Sequence, residues 1–151
     1  MSTEQLLRDA LAKVNARHEL GSRALHAAVG DLDRAVRAVA SGALRLELRS
    51  IEMRATVSVY GVYSSYRGER GNFIAAYAVP LDGFPIAVCR DEENAQHFDT
   101  DDVQEVIGSE AELAEHFRML ATDPDSPLVL DLAFAVRQRE EDEREARLPV
   151  G

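Results

Sequence analysis

Residues 44–66 read LRLELRSIEMRATVSVYGVYSSY, and this stretch decides the fold class. From Leu44 to Arg49 apolar and charged side chains alternate, which is the two-residue period of a strand buried on one face. The phase of the alternation changes near Ser50, so we predict a bulge or turn there. An apolar alternation resumes at Ala55 and continues to Tyr63. The stretch therefore predicts two neighbouring β-strands.

Two further strands are predicted downstream. Residues 72–79, NFIAAYAV, are apolar on both parities, as expected for a central strand that is covered on both faces. Asp82-Gly83 is a hairpin-turn signal, and residues 85–90 follow it as the next strand. We expect an antiparallel β-meander of three to four strands.

Amphipathic stretches flank the meander. Residues 6–14 and 25–39 carry apolar side chains at helical spacing on either side of Gly21, which is expected to end or bend the first helix. Ser109-Glu110-Ala111-Glu112 is a capping box and marks the start of a further helix. The predicted fold class is α+β: an N-terminal helical hairpin, then an antiparallel β-meander with further helices packed on the sheet.

Two segments each allow two interpretations. Residues 128–137 alternate in a way that favours a strand, whereas Ser126-Pro127 is also a helix cap followed by a proline at the first helical position. We favour the strand, followed by a charged helical or frayed tail over residues 138–151. Residues 91–108 are either a strand or a loop followed by a short helix.

The 151 residues match a single domain, 1–151, with no linker and no internal repeat. One cysteine, Cys89, excludes an intramolecular disulfide framework, and a reducing, cytoplasmic location is expected. The sequence lacks an apolar run of about 18 residues and lacks a signal-peptide pattern, which disfavours membrane spanning and secretion.

The formal net charge of −10 arises locally. Residues 82–115 contain eleven acidic side chains and one basic side chain, that of Arg90, so this segment alone carries a net charge of −10. Such a segment opposes binding to a phosphate backbone, and nucleic-acid binding is not expected. Charge runs usually form a solvated face, but an acidic surface also draws in a basic protein partner. The candidate interaction residues are Asp91, Glu92, Glu93, Asp99, Asp101, Asp102 and Glu105.

A second candidate interaction surface lies on the strand predicted over residues 56–66. Tyr60 and Tyr66 share a parity with serine and threonine side chains. This combination of rigid contact area and adaptable hydrogen bonding is typical of protein interfaces. The alternative is that both rings pack beneath a helix with their hydroxyls at the rim.

Residue types for catalysis are present, but their arrangement is unfavourable. Cys89, His97 and Asp99 are the types of a cysteine-nucleophile site, but neighbouring carboxylates disfavour a thiolate, and a cysteine in a strand is usually a core residue. A calcium loop counted from Asp99 fails because Val103 and Gln104 stand where a ligand and a glycine are needed. The glycines match no phosphate-binding loop. We therefore predict no catalytic residue, no cofactor and no metal.

In composition, size and gross order of elements the chain resembles bacterial secretion chaperones and toxin-immunity proteins. We predict a non-enzymatic protein–protein interaction module, chaperone-like or immunity-like, that uses an acidic surface and is compatible with a homo-oligomer. The alternatives are a small-molecule binding protein or small enzyme with a pocket between helices and sheet, and a structural subunit of a larger assembly. The localised charge and the missing catalytic motifs favour the interaction module.

Overall fold

Five antiparallel strands form one sheet in the computed structural model, which describes residues 1–69, 71–96 and 98–148. The strands are β1 (Leu44–Met53), β2 (Val57–Tyr66), β3 (Asn72–Pro80), β4 (Ile86–Cys89) and β5 (Glu105–Ile107). They lie in sequence order, so each strand pairs with the next one along the chain. The predicted meander is confirmed, and β5 extends it at one edge.

Two irregularities interrupt the strand pairing. The first lies in β1 between Ser50 and Glu52, where the alternation of the sequence changes phase, and it confirms the predicted bulge. The second lies between β2 and β3, where Val62 pairs with Ala75 but the next residue, Tyr63, pairs with Phe73. Because β3 contributes one extra residue there, Phe73 packs on the opposite face of the sheet from Ala75.

Three long helices cover one face of the sheet. They are α1 (Thr3–Val39), α3 (Glu110–Thr122) and α4 (Pro127–Arg147), and a short helix, α2 (Glu92–Ala95), lies between β4 and β5. Leu25, Phe117 and Leu128 from the long helices join Val62 and Tyr77 of the sheet in the main hydrophobic core. The α+β class, with helices packed on an antiparallel sheet, is confirmed.

In place of the predicted N-terminal hairpin, residues 3–39 form one continuous helix. Gly21 lies in the middle of α1 and is buried against the turn between β3 and β4. A Cβ atom at Gly21 would overlap the carbonyl group of Gly83. The glycine is therefore required by a close approach of two backbones, and packing outweighs the roughly 1 kcal/mol that glycine costs inside a helix.

The strand favoured for residues 128–137 is wrong, because this segment belongs to α4. Ser126 caps the helix by accepting a hydrogen bond from the amide three residues later at 3.2 Å, and Pro127 occupies the first turn. Leu128 and Ala135 are buried, seven residues apart, so burial follows the helical period. Apolar residues on both parities fit a helix as well as a strand. Residues 149–151 of the predicted tail lie outside the described residues.

A second, smaller hydrophobic cluster lies on the opposite face of the sheet. It contains Val59, Ala76, Ala78, Cys89, Ala95 and Phe98. The last two residues come from the segment between β4 and β5, which holds α2 and a 3₁₀ turn at Thr100–Asp102. The segment 91–108 therefore has short helices followed by a short strand, and it covers part of this face. Within the described residues, no helix has the length and apolar character needed to cross a membrane.

Candidate functional site

The side of α1 that covers the sheet continues beyond the sheet toward the N-terminus. Starting from buried Leu25 and stepping back by alternating intervals of four and three residues leads through Gly21, His18, Val14, Leu11 and Leu7. Because an α-helix has 3.6 residues per turn, this spacing keeps all of them on one side of the helix. Leu7 and Leu11 therefore continue the core-facing side of α1.

Nothing in the described part of the chain buries this side of α1 near its N-terminus. Leu7 and Leu11 are 67% and 59% exposed, and the neighbouring Leu6 is 55% exposed. Every residue from 3 to 13 is exposed, and Val14 is half-buried. We call Leu7 and Leu11 the α1 stripe. Clustered apolar side chains that are left in water are typical of a docking surface.

The α1 stripe is held in place because α1 is anchored directly behind it. His18 donates a hydrogen bond from Nδ1 to the carbonyl oxygen of Pro80 at 2.8 Å, at the end of β3. Arg17 pairs with Asp82 of the following turn at 3.7 Å. Ahead of these contacts α1 extends for about 20 Å, given a rise of about 1.5 Å per residue. The stripe is thus presented on a projecting helix.

The acidic residues singled out from the sequence fall into two groups. Six of them lie on the segment 91–103, which covers the sheet face opposite the long helices; of these, Asp102 is half-buried and the other five are exposed. Glu105 is half-buried and faces His116 of α3 instead. The structure therefore gathers most, but not all, of these carboxylates on one side of the molecule.

Three of these carboxylates stabilise the local fold. Asp91 caps α2 by accepting a hydrogen bond from the amide two residues later at 3.0 Å. Asp99 and Asp102 form a reciprocal capping box around the 3₁₀ turn, in which the Asp99 amide donates to Asp102 at 2.9 Å. Three acidic side chains of the segment 91–103 have no hydrogen bond or ion pair to another described residue, namely those of Glu92, Glu93 and Asp101.

A buried hydrogen-bond chain joins β3, α3 and β5. The Tyr77 hydroxyl donates to Nε2 of His116 at 2.7 Å, and Nδ1 of His116 donates to the Glu105 carboxylate at 3.0 Å. Arg90 donates to the same carboxylate at 3.2 Å. Tyr77 is fully buried, and His116 nearly so. No pattern in the sequence revealed this chain, because its members lie on separate elements.

Burial sets the protonation states of Tyr77 and His116 in this hydrogen-bond chain. Burial lowers the pKa of His116 and outweighs the Glu105 carboxylate, which raises it. Burial also raises the pKa of Tyr77, so its hydroxyl keeps the proton that it donates. A neutral His116 ring accepts at one nitrogen and donates at the other, so both nitrogens have partners. This hydrogen-bond chain fixes α3 on the sheet.

A cleft of about 340 Å³ opens beside this chain, between α3, α4 and the sheet. Arg90, Glu105 and His116 line it together with Asp123 and Asp125. The first three of these side chains are already bonded to one another. Across residues 1–69, 71–96 and 98–148, no three His, Cys, Asp or Glu side chains are grouped so that they could hold a metal ion.

Tyr60 and Tyr66 are half-buried between the sheet and the helices. The Tyr60 hydroxyl lies 3.5 Å from Ser22 of α1, and the Tyr66 hydroxyl donates to Asp142 of α4 at 3.4 Å. Rings beneath helices with hydroxyls at the rim correspond to the packing interpretation of these tyrosines. Their surfaces are largely occupied within the chain.

Cys89 is buried in the smaller hydrophobic cluster. Its thiol points to the carbonyl oxygen of Asp91, with a distance of 3.4 Å from Sγ. Asp99 is exposed and belongs to the capping box described above, and His97 lies outside the described residues. Cys89 therefore occupies the position of a core residue.

The sequence matches no protein-family model, and neither the search of curated proteins nor the search of solved structures found a match.

Proposed function

We propose that this chain is a non-enzymatic protein-interaction module that binds another protein through the α1 stripe, in the manner of a small chaperone or immunity protein. The α1 stripe carries the proposal: Leu7 and Leu11 lie along a projecting helix, in line with its core-facing residues, and both are more than half exposed. In the rest of α1 the same side of the helix is covered by the sheet.

Covering the α1 stripe is energetically favourable. Fully burying an exposed leucine contributes about 1.5 to 3 kcal/mol, so a partner that covers the two largely exposed leucines of the stripe gains a few kcal/mol. The helix is already formed and anchored through His18, so little ordering entropy is lost when a partner docks. The projecting half of α1 is thus organised for binding in advance.

The spacing of the stripe defines the chemistry of the partner. Leu7, Leu11 and Val14 recur at intervals of four and three residues, which is the spacing of a coiled-coil seam. An amphipathic helix lying along α1 places its apolar side chains between these residues. We therefore propose that the contact region of the partner is an amphipathic helix.

Residues 91–103, which we call the acidic segment, supply long-range attraction for a basic partner. Glu92, Glu93 and Asp101 are exposed and carry charges that no described residue neutralises. A contact along about 20 Å of one helix buries less surface area than the ~800 Å² per partner of a standard interface. Steering by exposed charges compensates by raising the association rate.

A matched pair of variants tests the proposal. Leu20 lies on the opposite side of α1 and is 67% exposed, the same value as Leu7. Wild type, Leu7→Glu and Leu20→Glu are immobilised in equal amounts and exposed to extract from the native cell, after circular dichroism has shown equal helix content.

The proposal expects one protein to be retained by wild type and by Leu20→Glu but to be lost from Leu7→Glu. Equal retention by the two variants would contradict it, because binding would then not depend on which side of α1 is altered.

A further inference from the structure

A second cleft, of about 500 Å³, opens where α4 passes the end of β2 and the start of β3. Asp131 and Phe134 of α4 line it together with Tyr66 and Asn72 of the sheet, and we call it the α4 cleft. Asn72 begins β3, whereas Pro80, to which α1 is anchored, ends it. The α4 cleft and the anchor of the α1 stripe therefore lie at opposite ends of the sheet.

One half of the α4 cleft already holds an arginine. The guanidinium group of Arg67 pairs with the Asp142 carboxylate at 2.8 Å, and its Cζ atom lies 5.3 Å from the centroid of the Tyr66 ring. A carboxylate and an aromatic ring together suit a guanidinium group, because it is a planar cation that both pairs and stacks. The chain itself thus shows which group this combination binds.

The other half of the α4 cleft has the same two kinds of group but no cation. The Asp131 carboxylate accepts a hydrogen bond from the Ser64 hydroxyl at 2.5 Å and another from the side-chain amide of Asn72 at 3.0 Å. Both donors are neutral, and no described residue forms an ion pair with Asp131. The charge of this half-buried carboxylate is therefore not neutralised.

The hydrogen bonds of Asp131 leave room for a two-pronged donor. Ser64 donates to Oδ2 and Asn72 donates to Oδ1, so each carboxylate oxygen keeps a free lone pair. An arginine side chain donates two parallel N–H groups, one to each oxygen, whereas a lysine side chain is a point charge. The two bonds from the sheet hold the carboxylate in place, and the geometry favours arginine over lysine.

Phe134 supplies the aromatic ring of this half. It follows Asp131 by three residues, so the two side chains are neighbours on one face of α4. The Phe134 ring contacts Tyr66 with the ring centroids 5.9 Å apart, yet 52% of the side chain is exposed. A guanidinium group held by Asp131 comes within the ~6 Å of the ring centroid over which a cation is attracted to the ring.

The charge of the α4 cleft distinguishes between two sources of a guanidinium group. Glu69, Asp131 and Asp142 line the cleft, and Arg67 is the one basic residue among its described lining residues. This negative charge attracts a guanidinium group but repels the α-carboxylate of free arginine. An arginine within a polypeptide has no such carboxylate, so the cleft favours a protein side chain.

We propose that the α4 cleft binds an arginine side chain of a protein partner. The guanidinium group donates one hydrogen bond to each oxygen of Asp131 and stacks on Phe134. This arrangement repeats the one that Arg67 makes with Asp142 and Tyr66 inside the same cleft. The partner segment that enters the cleft is therefore expected to contain an exposed arginine.

A titration followed by two-dimensional NMR on isotopically labelled protein tests the proposal. The probe is arginine acetylated at its amino group and amidated at its carboxyl group, so that its only charge is on the guanidinium group. The side-chain amide of Asn72 reports binding, because it is bonded to Asp131. A ligand of this size is expected to bind with a Kd of roughly 1 mM. The lysine probe with the same end groups, and free arginine, should each bind several-fold more weakly.

Three variants locate the probe. Asp131→Asn should weaken binding at least about tenfold, because the charge-assisted hydrogen bonds are lost. Phe134→Leu keeps an apolar side chain and leaves the bonds of Asp131 intact, and it should weaken binding about two- to fivefold. Leu130→Ala is the matched control, because Leu130 is 55% exposed on the same helix but does not line the α4 cleft. Circular dichroism and melting temperature show that each variant is folded.

Each element of the proposal has a result that overturns it. No shift at Asn72 up to roughly 50 mM probe, well above the expected Kd, overturns the site. Equal affinity for the lysine probe overturns the two-pronged contact, and equal affinity for free arginine overturns the protein source. A loss with Leu130→Ala as large as with Phe134→Leu overturns the stacking. Leu7→Glu should bind the probe as wild type does, so the outcome is independent of the α1 stripe.

Discussion

The carbonyl group of Gly83 occupies the space that a Cβ atom of Gly21 would need. This contact locks the middle of α1 onto the turn between β3 and β4, and the half of α1 that carries the α1 stripe projects from that point. Backbone contact of this kind leaves no side chain that could move aside, so it is sensitive to a single methyl group.

Gly21→Ala should lower the free energy of unfolding by about 2 to 3 kcal/mol, because an inserted methyl group forces backbone shifts in a well-packed contact. Gly30 lies in the same helix, and a Cβ there would approach no atom more closely than 4.0 Å. Gly30→Ala should therefore raise the free energy of unfolding by about 0.5 to 1 kcal/mol. Urea denaturation of both variants measures the difference, and equal effects would show that the Gly83 contact is unimportant.

Stability should fall as the pH falls below the usual histidine range. Burial lowers the pKa of His116 in the folded chain, so the unfolded chain binds a proton at a pH where the folded chain does not. The free energy of unfolding is then highest above a pH of about 6.5, falls below it, and levels off once the pH passes below the folded pKa.

The control for this pH dependence is His116→Gln, which removes the titrating ring while other groups titrate as before. Wild type should lose more stability than His116→Gln between about pH 7.5 and pH 5.5, which brackets the ordinary histidine value. Chemical denaturation at each pH gives both curves. Parallel curves would show that His116 binds protons equally well in both states.

Local patterns predicted the elements whose burial is one-sided. β1 alternates between Leu44 and Arg49 because one face is buried and the other is wet, and Ser109 marked the start of α3 by a cap that needs only nearby atoms. In both cases the cause of the structure lies within a few residues of its effect.

Contacts between distant residues could not be predicted from one sequence. Gly21 resembled a helix end until the approach of Gly83 explained it, and Tyr77 and His116 are 39 residues apart in the chain. The spacing of Leu7 and Leu11 predicted an apolar face, but the sequence does not tell whether the chain covers that face itself. The α1 stripe became a candidate site only once the sheet was seen to end behind it.

Removing unpaired carboxylates from the acidic segment should slow association with a basic partner. Glu92→Gln combined with Glu93→Gln lowers the local negative potential and leaves the caps made by Asp91 and Asp99 intact, so stability should change by less than about 0.5 kcal/mol. The association rate with the partner retained through the α1 stripe should fall several-fold at low salt and converge with that of wild type at high salt.

The matched control for charge is Glu140→Gln combined with Glu145→Gln, two exposed carboxylates on α4. This variant changes the net charge equally, so it should retain most of the association rate in stopped-flow measurements. If both double variants slow association to the same extent, net charge rather than the acidic segment attracts the partner.

Site-specific photo-crosslinking in the native cell tests the proposed function most directly. A photoreactive phenylalanine derivative replaces Leu7 in one strain and Leu20 in another, two positions with equal exposure on opposite sides of α1. The account predicts that position 7 crosslinks to one discrete protein and that position 20 does not. Equal crosslinking at both positions, or none at position 7, would contradict the claim that the α1 stripe binds a partner.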